Sequence, residues 1–259
     1  MSAVRAVAVC LLVGLWTLAL LPGQLLAIAC RSRLAERIPV VYHKLLRRLL
    51  QVEIVEYGAP TAARPVLFVC NHVSWLDIVV LGSLLPASFI AKHEVAGWPF
   101  FGQLAKLQRS VFIERRWRAT AAHRDRMQAR LEAGDNLILF PEGTSGDGLH
   151  ILPFKSAFLS LAERRIDGRS LTVQPLTLTY TAVDGWPVMR STMGQVAWVG
   201  DTDLLSHLWG VLTGGAIRCE LRFHDAVTIE DFAGRKDLSA HCRAVIMSGN
   251  SQALSARAA

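Results

Sequence analysis

Short apolar runs, separated by polar segments with helix-forming character, mark the middle of the chain. The clearest run is Val66–Cys70, with Pro65 before it and Asn71 after it. A short apolar run bounded by turn-forming residues is typical of a fully buried strand. Similar runs predict strands at residues 88–91, 110–113, 136–140 and 172–179. Helices are predicted between them at 78–85 and 118–133, and this alternation is typical of an α/β fold.

The first fifty residues have a different pattern. Residues 6–30 carry no charge, and Pro22 interrupts their apolar stretch. About twenty apolar residues are needed to cross a bilayer, so the segment is one kinked span or a re-entrant or interfacial anchor. A cleaved signal peptide is the rival interpretation. Residues 34–50 place apolar side chains at helical spacing with basic residues between them, which predicts an amphipathic helix on an anionic membrane or packed on the domain.

Beyond residue 180 the pattern is weaker. It predicts strands at 196–199 and at Ile217–Phe223, a short helix at 204–212, and a closing helix through residues 238–246. We therefore divide the chain into an N-terminal membrane anchor with a basic amphipathic helix (1–50), one α/β domain (51–250) and a frayed tail (251–259).

Composition narrows the functional classes. Apolar residues make up 52% of the chain, and 28 Lys and Arg against 21 Asp and Glu give a net charge of +7. A chain both basic and apolar suits a membrane surface and phosphorylated small molecules. Nucleic acid is not expected as a partner, because the chain has no zinc spacing, RNA-binding consensus or Lys-rich tail. The five cysteines include no closely spaced pair, which favours a reducing compartment and predicts no metal site.

Candidate chemistry follows the first strand directly. Asn71 and His72 come at its end, where ligands bind in open α/β sheets, and Asp77 follows five residues after His72. At 100° per residue His72 and Asp77 would lie about 140° apart on a helix. They meet only if His72 lies in the turn before the helix. Cys70 is a candidate thiol nucleophile, although a small apolar residue filling a buried strand is the more common role.

Three further groups of residues suit an anionic or polar substrate, and one proline indicates an unusual strand. Arg115 ends the strand at 110–113, and Arg binds phosphate through two hydrogen bonds. Glu142, Gly143 and Thr144 follow the strand at 136–140, where glycine lets an anion approach the backbone. Lys155 lies near the start of a predicted helix, the end that favours anions. Pro175 interrupts the strand at 172–179, so that strand lies at an edge or is irregular.

Taken together, these motifs resemble the glycerolipid acyltransferases, of which the 1-acylglycerol-3-phosphate O-acyltransferases are the best known. The family signature is His, four residues, Asp, which matches His72 and Asp77 here. Its further blocks match the strand ending at Arg115, the run Phe-Pro-Glu-Gly-Thr ending at Thr144, and the Pro175 strand. The resemblance implies a single acyltransferase domain with a central mixed sheet flanked by helices. It implies His72 and Asp77 as catalytic residues, with Asn71, Lys155 and Pro175 in support.

The resemblance also implies a reaction. A lysolipid hydroxyl attacks an acyl thioester, and His72 accepts its proton while Asp77 orients the imidazole. Arg115, Glu142, Gly143 and Thr144 would bind the acceptor. Acyl-CoA or acyl carrier protein would donate the chain, with no cofactor. Membrane lipids are the other expected partners, and the expected location is the cytoplasmic side of the inner membrane.

Two acceptors stay open, with 1-acylglycerol 3-phosphate as the leading one. The second acceptor is lyso-ornithine lipid. The run Glu-Gly-Thr-Ser-Gly-Asp-Gly lacks the customary Arg after Thr144 and is similar to bacterial lyso-ornithine lipid acyltransferases. A zwitterionic head group without phosphate needs less basic charge there. A non-catalytic membrane-binding protein of the same fold is an alternative of another class, and the intact pair of His72 and Asp77 argues against it.

Overall fold

The central sheet is arranged around strand β2 (Val66–Cys70), whose five residues are all buried. Its even-numbered side chains enter one apolar core and its odd-numbered side chains enter another, on opposite faces of the sheet. A parallel strand covered on both faces needs no polar positions, which explains the continuous apolar run. The computed structural model from which this follows describes residues 3–113, 121–200 and 202–256.

The sheet is mixed, as predicted. Within the described residues its order is β1-β10-β8-β2-β5-β3-β4, with β9 paired to β8. Strand β10 is antiparallel to β8, whereas the pairs β1–β10, β2–β8, β2–β5, β3–β5 and β3–β4 are parallel. In addition to β2, the strands are β1 (Val52–Tyr57), β3 (Ala87–Lys92), β4 (Val111–Ile113), β5 (Asn136–Leu139), β6 (Arg165–Ile166), β7 (Arg169–Ser170), β8 (Thr172–Val183), β9 (Trp186–Pro187) and β10 (Ile217–Phe223).

Helices cover both faces of this sheet, which confirms the predicted α/β architecture. They are α1 (Ala3–Ala29), α2 (Leu34–Leu49), α3 (Leu76–Leu84), α4 (Phe101–Leu107), α5 (Ala121–Glu132), α6 (Leu204–Thr213) and α7 (Arg235–Ala256). One core contains apolar residues of α1, α3 and α6, with α2 packed against it. The other contains residues of α5, α7 and the 3-10 helix Ser156–Glu163.

Helix α1 is long and apolar enough to cross a membrane, the one such helix in the described residues. It does not stand apart from the domain. The Arg5 guanidinium donates to the carbonyl of Leu49 at 3.0 Å, and the amide of Gln24 donates to the carbonyl of Ala35 at 3.1 Å. These contacts join opposite ends of α1 to opposite ends of α2, so the two helices pack antiparallel.

Two predictions for the C-terminal part are wrong. Residues 196–199 form no strand, because the N–H groups of Val196 and Ala197 donate back to the carbonyl of Met193 and that of Trp198 donates to Val73. No strand can pair with N–H groups already used this way. Residues 251–256 are not frayed but continue helix α7, where Asn250 and Ala253 are buried. Residues 257–259 lie outside the described part of the chain.

Pro175 lies in an interior strand rather than at an edge. It pairs with Val69 of β2, and its carbonyl accepts the N–H of His224 at 3.0 Å. The sequence also allowed an irregular strand at Pro175, and the structure has an irregularity in the pairing of β8 with β10. That strand ends at Phe223, and a single bridge between Val173 and Val227 follows, with one additional residue on the β10 side. The missing N–H of proline is accommodated at this break.

Candidate active site

His72 and Asp77 meet as their spacing required. Helix α3 begins at Leu76, so His72 lies in the turn before it and Asp77 lies in its first turn. The Nδ1 atom of His72 is 2.7 Å from Oδ2 of Asp77. Asp77 is completely buried, whereas 19% of the His72 side chain is exposed. The pair therefore presents its imidazole, and not its carboxylate, to an incoming substrate.

Every oxygen of the Asp77 carboxylate is hydrogen-bonded. Oδ2 accepts the backbone N–H groups of Val73 at 2.7 Å and Ser74 at 3.0 Å in addition to His72. Oδ1 accepts the hydroxyl of Tyr180, also at 2.7 Å. A buried carboxylate that accepts this many hydrogen bonds cannot rotate. Asp77 therefore keeps the proton of His72 on Nδ1 and leaves Nε2 free to accept another.

The His72 ring is also held from its face. Phe140, at the end of β5, stacks on the imidazole with ring centres 4.2 Å apart and planes 17° apart. Phe89 stacks in turn on Phe140 at 6.1 Å. Together with the Asp77 hydrogen bond, this stacking fixes the plane in which Nε2 points. Such preorganisation is what a general base needs.

Glu142 supports the backbone of His72. Its Oε1 accepts the N–H of His72 at 2.8 Å, and its Oε2 accepts the N–H of Leu152 at 2.9 Å. The N–H of Gly146 donates to the carbonyl of His72 at 2.8 Å. Burial raises the pKa of Glu142 to about 7, although both backbone hydrogen bonds act in the opposite direction. Glu142 thus holds the loop that carries His72, and its two oxygens are occupied.

Asn71 joins the end of β2 to β8. Its side-chain oxygen accepts the N–H of Leu178 at 2.9 Å, and its amide nitrogen donates to the carbonyl of Leu178 at 2.8 Å. The side-chain amide of Asn71 thereby makes the two hydrogen bonds that a backbone peptide group of a neighbouring strand would otherwise make. Asn71 and Pro175 both lie where β2 pairs with β8, just before His72 in the strand direction. Both residues determine how the two strands end at the site.

Gly143 and Lys155 lie close together in the structure. Gly143 has φ +68°, a backbone conformation that favours glycine, and the position of a Cβ there would be 2.9 Å from Nζ of Lys155. Lys155 is exposed, precedes the 3-10 helix, and donates its N–H to the carbonyl of Pro141 at 3.0 Å. The side chain of Thr144 is exposed as well. Arg115, the fourth predicted acceptor residue, lies outside the described residues.

Cys70 does not act as the alternative nucleophile. It is completely buried in β2, and burial raises the pKa of its thiol well above the ordinary value, as do the nearby Asp77 and Glu142 carboxylates. A thiol that stays protonated is a poor nucleophile. Within the described residues, no three His, Cys, Asp or Glu side chains lie together as a metal site would require.

The chain matches the family model Acyltransferase over residues 49–179, about half of its length. The chain belongs to the acyltransferase family. The match contains all the motif residues discussed above, from Asn71 to Pro175. Among the described residues, the structure brings the block at His72 into contact with the block at Glu142.

The relatives of this acyltransferase fall into two groups. It is 40% identical over 227 residues to a lyso-ornithine lipid O-acyltransferase of Brucella abortus, which covers 86% of this chain and 85% of the relative. A second such enzyme, from Rhizobium meliloti, is 37% identical and covers 90% of this chain and 82% of its own. A 1-acyl-sn-glycerol-3-phosphate acyltransferase of Neisseria gonorrhoeae is 33% identical, covering 74% of each. This enzyme is therefore an acyltransferase of lysolipids.

A solved structure shows the same fold. The 1-acyl-sn-glycerophosphate acyltransferase PlsC of Thermotoga maritima superimposes with a TM-score of 0.60, covering 84% of this chain and 78% of PlsC. Its sequence identity is 20%, so the likeness concerns the architecture. The predicted mixed sheet with flanking helices is confirmed by this neighbour.

Sequence reasoning missed two residues of the site. Tyr180 lies one position beyond the part matched by the family model, in what reads as an ordinary β-strand. Its signal was the hydroxyl of a tyrosine within a strand, since a tyrosine that becomes buried there usually finds a hydrogen-bond partner. Phe140 was noted only as the end of a strand, and nothing in its local sequence indicates that it stacks on His72.

Replacing Tyr180 by Phe tests whether this tyrosine positions Asp77. The variant leaves Oδ1 without a donor, so we expect kcat to fall about tenfold, the effect of one lost hydrogen bond to a buried charge. Tyr57→Phe, at an exposed tyrosine, is the control. A Tyr180→Phe enzyme with an unchanged kcat would contradict the role.

The raised pKa of Glu142 predicts how stability depends on pH. Between about pH 4.5 and 7 the folded protein retains a proton that the unfolded chain has released. The contribution of Glu142 to the free energy of unfolding is therefore fully present below pH 4.5, and it is lost as the pH rises through 7. Relative to Glu142→Gln, the wild-type free energy of unfolding should fall by up to about 3 kcal/mol over this range. Denaturant titrations at several pH values measure it, and a constant difference would refute the expectation.

Proposed function

We propose that this enzyme transfers a fatty acyl chain from acyl-CoA or acyl carrier protein to the hydroxyl of lyso-ornithine lipid, forming ornithine lipid. The chemistry rests on the His72–Asp77 pair. The choice of acceptor rests on the loop from Gly143 to Gly148 and on relatives with that activity from four bacterial species. Their identity of 37–40% exceeds that of the phosphatidate-forming relatives.

The reaction proceeds in two steps in this scheme. Nε2 of His72 takes the proton of the lipid hydroxyl while its oxygen attacks the thioester carbonyl. The imidazolium is stabilised by the buried carboxylate of Asp77. Collapse of the tetrahedral intermediate breaks the carbon–sulfur bond, and the proton passes from His72 to the departing thiolate. The proton taken from the hydroxyl is the one released on the thiol, so His72 is regenerated.

The loop from Gly143 to Gly148, called here the acceptor loop, and Lys155 beside it carry opposite charges. Ser145 stands where the family usually has Arg, and its hydroxyl donates to the carbonyl of Trp198 instead of facing an anion. Two residues later, Asp147 has its pKa lowered by hydrogen bonds from His150 and Leu149, which outweigh its partial burial. Lys155 adds a positive charge beside Gly143. An ammonium and a carboxylate suit this combination better than a phosphate monoester does.

A second acceptor, 1-acylglycerol 3-phosphate, is favoured by other observations. The Neisseria relatives and the Thermotoga maritima structure bear that activity in their names. Lys155 would interact with a phosphate, and so would Arg115. The two acceptors share the hydroxyl chemistry at His72 and differ only in the head group that the loop must bind.

Helices α1 and α2 and the cysteines support a cellular location for the enzyme. Helix α1 suggests membrane association, and its neighbour α2 ends in Arg47 and Arg48. Positive residues near an apolar segment favour the cytoplasmic side. The acyl donors are cytosolic, and all five cysteines are free thiols. We therefore assign the enzyme to the cytoplasmic face of the inner membrane.

Thiol release from an acyl thioester measures the reaction directly. We expect detergent-purified enzyme to release thiol when lyso-ornithine lipid is added, and His72→Ala to reduce the rate at least about a hundredfold, as loss of a general base does. His93→Ala, at an exposed histidine outside the site, is the control. Release driven only by 1-acylglycerol 3-phosphate would select the second acceptor. Release without any acceptor would indicate hydrolysis and contradict both.

Ser145→Arg tests the role of the loop in acceptor choice. Restoring a guanidinium after Thr144 should raise the ratio of kcat/KM for 1-acylglycerol 3-phosphate over lyso-ornithine lipid by about tenfold or more, because a charge-assisted hydrogen bond to phosphate is gained. Ala62→Arg adds the same charge at an exposed position before the amino end of β2, the opposite end of the sheet from the loop, and should leave the ratio unchanged. An equal effect of both substitutions would show that the loop does not choose the acceptor.

A further inference from the structure

Helix α6 and the β8–β9 hairpin, like α1, present large apolar side chains to the exterior. On helix α6, Leu205 is 65% exposed and Trp209 is 46% exposed. Near the β8–β9 hairpin, Trp186 is 78% exposed and Met189 is 58% exposed. Leu205 and Trp209 are four residues apart and therefore share one face of their helix. Exposed apolar groups on adjoining elements mark an interaction surface.

Helix α6 separates the catalytic loop from the exterior. The indole Nε1 of Trp75, three residues after His72, donates to Nδ1 of His207 at 3.0 Å. His207 is buried on the inner side of α6, whereas Leu205 and Trp209 on either side of it in sequence are exposed. The outer face of α6 thus lies about one helix diameter, roughly 10 Å, from the loop of His72.

The hairpin lies at the same end of the sheet. Strand β8 runs parallel to β2, and Leu176 pairs with Cys70, the last residue of β2. Strand β8 then continues to Val183 before the turn that leads to Trp186, an extension of about 20 Å. Trp186 therefore lies beyond the carboxyl end of β2, the end at which His72 begins its loop.

Helix α6 is joined to α1. The Arg5 guanidinium donates to the carbonyl of Leu212, the penultimate residue of α6, at 3.4 Å as well as to Leu49. Apolar residues on the inner sides of α1 and α6 share one core. The outer face of α1 is a stripe of exposed apolar side chains at helical spacing, formed by Val4, Val7, Leu11, Leu15, Leu18 and Leu25.

We propose that the hairpin at Trp186 and the outer face of α6 form a second membrane contact, continuous with that of α1, which turns the catalytic end of the sheet toward the lipid. A bilayer suits the surface because tryptophan is favoured at the membrane interface. Arg190, exposed next to Met189, suits anionic head groups. The apolar stripe on α1 extends the same surface over about 30 Å, which a bilayer covers as a whole.

This orientation has a direct consequence for catalysis. A lysolipid need not leave the bilayer, because its hydroxyl has to rise only about the thickness of one helix to reach His72. The inference is independent of which lysolipid is the acceptor, so failure of the proposed acceptor leaves it intact. It extends the membrane association suggested by α1 to elements at the opposite end of the sequence.

Fluorescent labels at single cysteines test the contact in the full-length enzyme. Exposed Cys10 and Cys30 are first changed to Ser, and a cysteine is placed at Trp186, at Trp209, at Leu15 as a membrane reference, or at exposed Met247 of α7 as an aqueous control. In vesicles of phosphatidylethanolamine and phosphatidylglycerol, lipids with quenchers on their acyl chains should quench labels at 186 and 209 as they quench 15. The label at 247 should not be quenched.

Kinetics supply a second measurement. Trp186→Ser combined with Trp209→Ser should raise the KM for lysolipid presented in vesicles at least about tenfold, whereas Met247→Ser should not change it. Labels at 186 and 209 that stay as exposed to water as that at 247 would overturn the proposal. So would protection of these labels by dimer formation in detergent, shown by sedimentation, because a second copy would then cover the surface.

Discussion

The buried carboxylate of Asp77 is the constraint on which the rest of the site depends. An anion without water is tolerated only where donors surround it, and here the donors come from separate parts of the fold. Two N–H groups belong to the turn before α3, the imidazole belongs to His72, and the hydroxyl belongs to β8. The turn, the helix start and the parallel pairing of β2 with β8 must all form before Asp77 is satisfied. Folding and assembly of the catalytic pair are therefore one event.

The same carboxylate explains how the chemistry works without a nucleophile on the protein. Cys70 stands beside the site but is held neutral by burial and by the negative charges around it. In the proposed mechanism, the protein provides a base and an orienting anion, and the substrate provides the attacking oxygen. On this proposal, a lysolipid hydroxyl is the third member of a triad that is incomplete in the free enzyme.

The sequence pattern predicted those parts of the fold that depend on residues close together in the chain. The run at β2, the turn position of His72 and the glycine after Glu142 were all determined within a few residues. Tyr180 could not be found this way, because its partner is 103 positions away and joins it only through the pairing of β2 and β8. Residues 196–199 have the composition of a strand, yet their N–H groups bond to Met193 and Val73. The small polar residues near 251 suggested fraying, whereas their helix is held by burial of Asn250 and Ala253 against the sheet.

The two hydrogen bonds that join the acceptor loop to the backbone of His72 have an evolutionary consequence. Glu142 accepts the N–H of His72 through its side chain, so this position cannot change without displacing the base. Gly146 donates to the carbonyl of His72 through its backbone N–H, which any residue except proline supplies. The side chains of Thr144, Ser145 and Asp147 make neither of these bonds. In the proposed mechanism, mutation at these three positions can therefore alter head-group preference while His72 stays in place.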